Sequence, residues 1–123
     1  MPLADVRSPS EFQHGHIPGA CNIPLFSDNE RARVGTLYKK SGKEQAFNEG
    51  LRIAGPKLLH YLNEGRKLAA ESNHLLMYCW RGGQRSNAMA WLFRNAGITV
   101  ELLEGGYKSY RRFLRHSFSQ PAK

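Results

Sequence analysis

Cys79 is the residue best placed to do chemistry. It stands between the apolar run His74-Leu75-Leu76-Met77-Tyr78 and the stretch Trp80-Arg81-Gly82-Gly83-Gln84-Arg85-Ser86. Two adjacent glycines let the backbone curl so that successive amide N–H groups converge on an anion, and a helix that follows adds positive potential. Arg81 and Arg85 flank that turn. A thiol in such a field is expected to ionise more readily than an ordinary cysteine, which predicts a nucleophile. The segment 79–86 is therefore predicted to be the active-site loop, with Trp80, Arg81, Gly82, Gly83, Gln84, Arg85 and Ser86 binding an anion or substrate. Cys21, in the turn Cys21-Asn22-Ile23-Pro24, reads as a small buried apolar residue. With no Cys-x-x-Cys pair and no Cys/His quartet, and with only His14 and His16 close together, no metal site is expected.

A reactive thiol needs a rigid support, and the elements around it supply one. The run His74–Tyr78 is continuously apolar, as in a central strand covered on both faces, and Cys79 falls at its carboxyl end, where open α/β sheets bind ligands. Leu3-Ala4-Asp5-Val6 and Ile98 to Leu103 read as further strands, and Ser10-Glu11-Phe12 as a helical turn. Ser86 is predicted to open a helix that Gly97 stops. Phe47, Leu51, Ala54, Leu58 and Leu62 recur at helical spacing, with Pro56 at a kink or at the start of a second helix. From Leu25 to Lys43 the pattern is mixed and polar, and no firm element is assigned. Tyr107, Tyr110, Phe113 and Leu114 give a last amphipathic helix. Strands alternating with helices predict an α/β fold with a central parallel sheet flanked by helices.

The chain has 123 residues, one domain's worth, of which 41% are hydrophobic and 23% charged, so neither a disordered tail nor a fibrous repeat fits. No run approaches the ~18 to 20 apolar residues of a membrane span and no secretory signal opens the chain, so the cytoplasm is the expected compartment. Eighteen Lys and Arg against ten Asp and Glu give a net charge of +8 and favour polyanionic partners. Basic residues cluster twice, Arg31, Arg33, Lys39, Lys40 and Lys43 in one stretch and Lys108, Arg111, Arg112 and Arg115 in the other. Each reads as a solvated face or as an RNA contact, and Arg31, Arg33, Lys39, Lys40, Lys108, Arg111 and Arg112 are the candidate RNA contacts.

Asp5-Val6-Arg7, Glu11-Phe12, the run Gly15 to Pro24, the Cys79 loop and Gly105-Gly106-Tyr107 together resemble a rhodanese domain over nearly the whole chain. A narrower resemblance is to the rhodanese domain of bacterial tRNA 2-selenouridine synthases. It is carried by the segment Asn29 to Lys40, by the loop Cys79 to Ser86 and by Glu104 to Lys108. The resemblance implies a rhodanese-like fold lacking its first strand and helix, and a single domain over 1–123 without the P-loop domain that follows in the family. It also implies that Cys79 carries sulfur or selenium as a persulfide or selenosulfide. Selenium from selenophosphate then replaces the sulfur of 2-thiouridine at the tRNA wobble position, with no bound cofactor.

Two other activities and a binding role compete with this reading. Five residues separate Cys79 from Arg85, the spacing of Cys-x5-Arg phosphatases that share the rhodanese scaffold, although Tyr78 and Gln84 stand where those enzymes usually carry His and an acid. A generic thiosulfate sulfurtransferase needs only the cysteine loop. A rhodanese-like binding module without catalysis usually lacks the cysteine. Asp5 and Arg7 are expected to brace the sheet end, Glu11 and His16 to be structural partners in the Gly-rich turn, and Tyr107 to pack under the active-site loop.

Overall fold

The computed structural model describes residues 1–80 and 83–119, with side chains described through Arg112. Four parallel strands, β1 (Leu3–Asp5), β2 (Cys21–Asn22), β3 (His74–Tyr78) and β4 (Thr99–Leu102), form one sheet in the order β2-β1-β3-β4. Register aligns Asp5 with both Asn22 and Tyr78, so the carboxyl ends of three strands finish side by side. Cys79 leaves from this level. The helices are α1 (Pro9–His14), α2 (Asp28–Ser41), α3 (Lys43–Ala54), α4 (Leu58–Leu68), α5 (Gln84–Asn95) and α6 (Gly106–Ser119).

The central strands β1 and β3 are largely apolar because both of their faces are covered, whereas the edge strands β2 and β4 keep exposed residues. Ala4, Val6, Leu75 and Met77 are fully buried and pack with Tyr61 of α4 and with Met89, Ala90 and Phe93 of α5. Gly65 of α4 lies against the Phe93 ring, which lets the two helices approach closely. Tyr61 donates its hydroxyl to the Leu25 carbonyl at 2.5 Å, tying α4 to the segment after β2. Burial raises its phenol to about 12. None of the helices among the described residues is long and apolar enough to cross a membrane.

The structure corrects the sequence reading at several places. The polar segment from Leu25 to Lys43, whose pattern predicts no firm element, contains all of α2, which has no buried residue and therefore no apolar stripe to betray it. Its start is nevertheless encoded by a capping box: Ser27 N–H donates to Glu30 Oε1 at 2.8 Å, and Glu30 N–H donates to Ser27 Oγ at 3.2 Å. α2 is held by ion pairs, Arg33 to the buried Glu49 of α3 at 2.9 Å and Glu30 to Lys57 at 2.6 Å. Pro56, by contrast, falls at the break its spacing predicts, in a 3₁₀ turn, Gly55–Lys57, that separates α3 from α4. The helix after the cysteine loop starts at Gln84, two residues before Ser86, because Gly83 adopts a left-handed conformation (φ 77°) and serves as its N-cap. Cys21, expected to be buried, is exposed: β2 is an edge strand of two residues.

Candidate active site around Cys79

Beneath the loop lies an ion pair built into the sheet end. Asp5 and Arg7 are both buried, with Arg7 Nη2 2.7 Å from Asp5 Oδ2 and Arg7 N–H donating to Asp5 Oδ1 at 2.9 Å. Arg7 Nη2 also donates to the Gly15 carbonyl at 2.6 Å, and its guanidinium lies over the Tyr107 ring at 4.1 Å. Burial opposes the Arg7 charge, but the hydrogen bonds and charge of Asp5 outweigh it and hold its pKa above the ordinary arginine value. A pair so fully partnered braces the sheet end and, through the Gly15 carbonyl, holds the Gly-rich turn against it. Burial likewise pushes the Tyr78 phenol well above its ordinary value, and its oxygen accepts the Ile17 N–H at 3.1 Å.

Cys79 is buried at the end of β3, and Ser86 of α5 brings its hydroxyl to 3.3 Å from the sulfur. Ser86 Oγ also donates to the Gly83 carbonyl at 3.3 Å. A hydroxyl so placed accepts from the thiol and can turn to donate to a thiolate, so Ser86 serves either protonation state. The backbone of the loop is fastened to α6: Tyr107 N–H donates to the Cys79 carbonyl at 2.7 Å and Lys108 N–H to the Trp80 carbonyl at 2.9 Å. Only glycine fits at 106, where φ is 59° and an added Cβ would meet the Cys79 and Trp80 carbonyls. The Tyr107 ring lies 6.0 Å from Trp80, as expected of a residue packed under the loop.

Of the other predicted loop residues, Arg81 and Gly82 lie outside the described residues. Gln84 is exposed at the first position of α5. Arg85 is paired with α1: Nη1 and Nη2 donate to Glu11 Oε1 and Oε2 at 2.6 and 3.2 Å. Glu11 also accepts from the backbone and hydroxyl of Ser8, both at 3.0 Å, and pairs with Arg31 Nε at 3.1 Å. Burial favours the neutral acid, yet Arg85 and the Ser8 donors prevail and hold the Glu11 carboxyl below its ordinary range. Glu11 thus joins α1, α2 and α5. Expected from sequence to be a structural partner in the Gly-rich turn, it is the hub that ties the cysteine-loop helix to α2. His16, of which the same is expected, is exposed, stacks on Phe12 at 3.7 Å and bonds its carbonyl through Nδ1.

A cleft of about 350 Å³ opens beside the loop, lined by Arg7, Glu11, His14, Gly15, Arg31, Trp80, Tyr107 and Arg111. The predicted RNA-contacting residues divide accordingly. Arg31 and Arg111 enter this cleft. Arg33 is committed to Glu49 and, with Lys40, lines a separate groove between α2 and α3. Lys39 and Arg112 are exposed, and Lys108 is half-buried. Among the described residues no group of His, Cys, Asp and Glu could hold a metal ion.

Comparison with known proteins agrees with this architecture. The family model described as the rhodanese-like domain matches residues 1–113. The tRNA 2-selenouridine synthase of Psychromonas ingrahamii is 36% identical over 99% of the chain but only 33% of its own length. That of Bdellovibrio bacteriovorus is 43% identical over 93% of the chain and 30% of its own length, so the chain spans about a third of these curated relatives. Among solved structures, the N-terminal domain of a protein from Clostridium difficile 630 described as ATP/GTP-binding superposes with a TM-score of 0.86. It is 40% identical, with 91% of this chain and 87% of that one covered. A parallel sheet ending at a cysteine loop, a helix that starts directly after it and a family match over nearly all residues place the chain in the rhodanese-like domain family.

Proposed function

We propose that this chain is the sulfur- and selenium-transferring domain of an enzyme that converts wobble 2-thiouridine of tRNA to 2-selenouridine. In this reading Cys79 is the reacting thiol of the domain, which takes up sulfur as a persulfide from a sulfane donor, and selenophosphate supplies selenium to the base at the selenide level. The observation that carries the reading is the placement of Cys79 at the carboxyl end of β3, under the start of α5 and 3.3 Å from the Ser86 hydroxyl. The relatives named for 2-selenouridine synthesis match over this same domain and support the choice of substrate. The net exchange needs no redox partner. Selenophosphate, water and a 2-thiouridine give 2-selenouridine, phosphate and hydrogen sulfide, with a C=S bond replaced by C=Se.

Sulfur uptake is the simplest measurable step of this chemistry. The Cys79 thiolate attacks the outer sulfur of thiosulfate, the sulfur–sulfur bond of thiosulfate breaks, sulfite leaves with the bonding electrons, and a cysteine persulfide remains. Against the rhodanese-fold phosphatase, Tyr78 and Gln84 stand where those enzymes usually carry His and an acid. Sulfite release by the chain, absent in Cys79→Ser, is the expected result. Equal release by Cys79→Ser, or phosphate-ester hydrolysis without sulfite release, would overturn the proposal.

A further inference from the structure

We propose that the cleft beside the cysteine loop is a subsite for one nucleotide of single-stranded RNA, its phosphate held by Arg31 and Arg111 and its base stacked on Trp80; this rests on the tRNA reading above. The cleft falls within the ~300–1,000 Å³ range of small-ligand sites. Its charge is arranged for an anion. Arg7 supplies buried positive potential but is already committed to Asp5, Gly15 and the Tyr107 ring. Arg31 touches Glu11 through Nε while half of its side chain stays exposed. Arg111 is exposed, and no carboxylate among the described residues pairs with it. The one acid of the cleft, Glu11, is itself paired with Arg85 as well as Arg31, so a phosphate entering beside Arg31 meets a neutralised carboxylate.

The aromatic component points to a nucleotide and not to a free anion. Trp80 immediately follows Cys79, is half-buried, and is steadied by Tyr107 at 6.0 Å, which in turn contacts Tyr110 at 5.8 Å. Arg7 occupies Tyr107 at 4.1 Å, and of the two other rings that line the cleft, Trp80 and His14, the indole offers the larger stacking surface. Aromatic residues beside arginines are the combination that grips single-stranded nucleic acid, because stacking holds any base and guanidinium groups hold its phosphate. A nucleotide seated there lies one residue along the chain from the thiol.

The test uses the 123-residue chain carrying Trp91→Phe. Trp91 is exposed on α5 and does not line the cleft, and its removal leaves Trp80 as the single tryptophan. Heptauridylate is titrated against Trp80 fluorescence across a salt series, with inorganic phosphate and thiosulfate as separate arms. The expected result is quenching by heptauridylate, an affinity about tenfold lower in Arg111→Ala and in Arg31→Ala, and a salt slope smaller by about one in each. Arg111→Lys should recover part of the loss, and Trp80→Leu should weaken binding followed by anisotropy of a labelled strand. Absence of quenching, unchanged affinity and slope in both arginine variants, or equal occupancy by inorganic phosphate would each overturn the subsite. Sulfite release by the same chain is measured alongside. Its failure overturns the proposed function, whereas sulfite release without heptauridylate binding overturns the subsite alone.

Discussion

Replacing Glu11 by glutamine should destabilise the fold by an amount that depends on pH in a defined way. The carboxylate accepts from Arg85, Arg31 and both donors of Ser8, and the amide of Glu11→Gln would keep a single acceptor oxygen and no charge. Charge-assisted hydrogen bonds contribute ~1.5–3 kcal/mol, and the partial exposure of Arg85 and Arg31 discounts this to about 1–2 kcal/mol. For a domain of this size that is a fall in Tm of roughly 4–10 °C at neutral pH. The fold holds the Glu11 pKa below its ordinary value of 4.5, so the wild type's advantage is fully present above that value and is lost as pH falls through the lower folded value. Urea unfolding of wild type and Glu11→Gln, from neutral pH down to about pH 3, should give a constant difference above the ordinary carboxylate range and a shrinking one below it. A difference that stays constant through acid, or one under about 0.5 kcal/mol at neutral pH, would refute the claim that Glu11 is an ionised hub.

Three further substitutions test the anchor of the cysteine loop and the packing of α4. Gly106→Ala places a side chain at φ 59° against the Cys79 and Trp80 carbonyls, and should cost more than about 2 kcal/mol in urea unfolding while lowering sulfite release. Tyr61→Phe removes the hydroxyl bonded to the Leu25 carbonyl and should cost about 1–2 kcal/mol with the m-value unchanged. In Gly65→Ala the new Cβ falls 2.6 Å from the Phe93 ring. The ~1–3 kcal/mol of overpacking is partly offset by ~1 kcal/mol of helix propensity, for a net loss near 1 kcal/mol by thermal unfolding.

The parts of this molecule legible in its sequence are those with an apolar signature. The run His74–Tyr78 identifies the central strand because a strand covered on both faces must be apolar throughout, and it places Cys79 at the strand's exit. α2 escapes the same reasoning because it is held by the Arg33–Glu49 and Glu30–Lys57 ion pairs, and its one local signal is the Ser27–Glu30 capping box. On α3 the apolar residues even mislead. Phe47 and Leu51 are exposed, while Glu49 is buried against Arg33 and Arg52. At the site, strand, cysteine and glycines are adjacent in sequence and can be read together. The cleft is assembled from Arg7, Glu11, Arg31 and Arg111, which tertiary structure alone brings together, and the pairing of Arg85 with Glu11 spans 74 positions.

The central claim is that Cys79, buried under α5, takes up the chalcogen, although Cys21 is the more exposed thiol. The direct measurement is to load the chain with thiosulfate, cap every sulfur with an alkylating agent, and map by mass spectrometry which cysteine peptide carries one additional sulfur atom. The account predicts the extra sulfur on the peptide containing Cys79 and none on that containing Cys21. An extra sulfur confined to Cys21, or shared equally between the two, would contradict it.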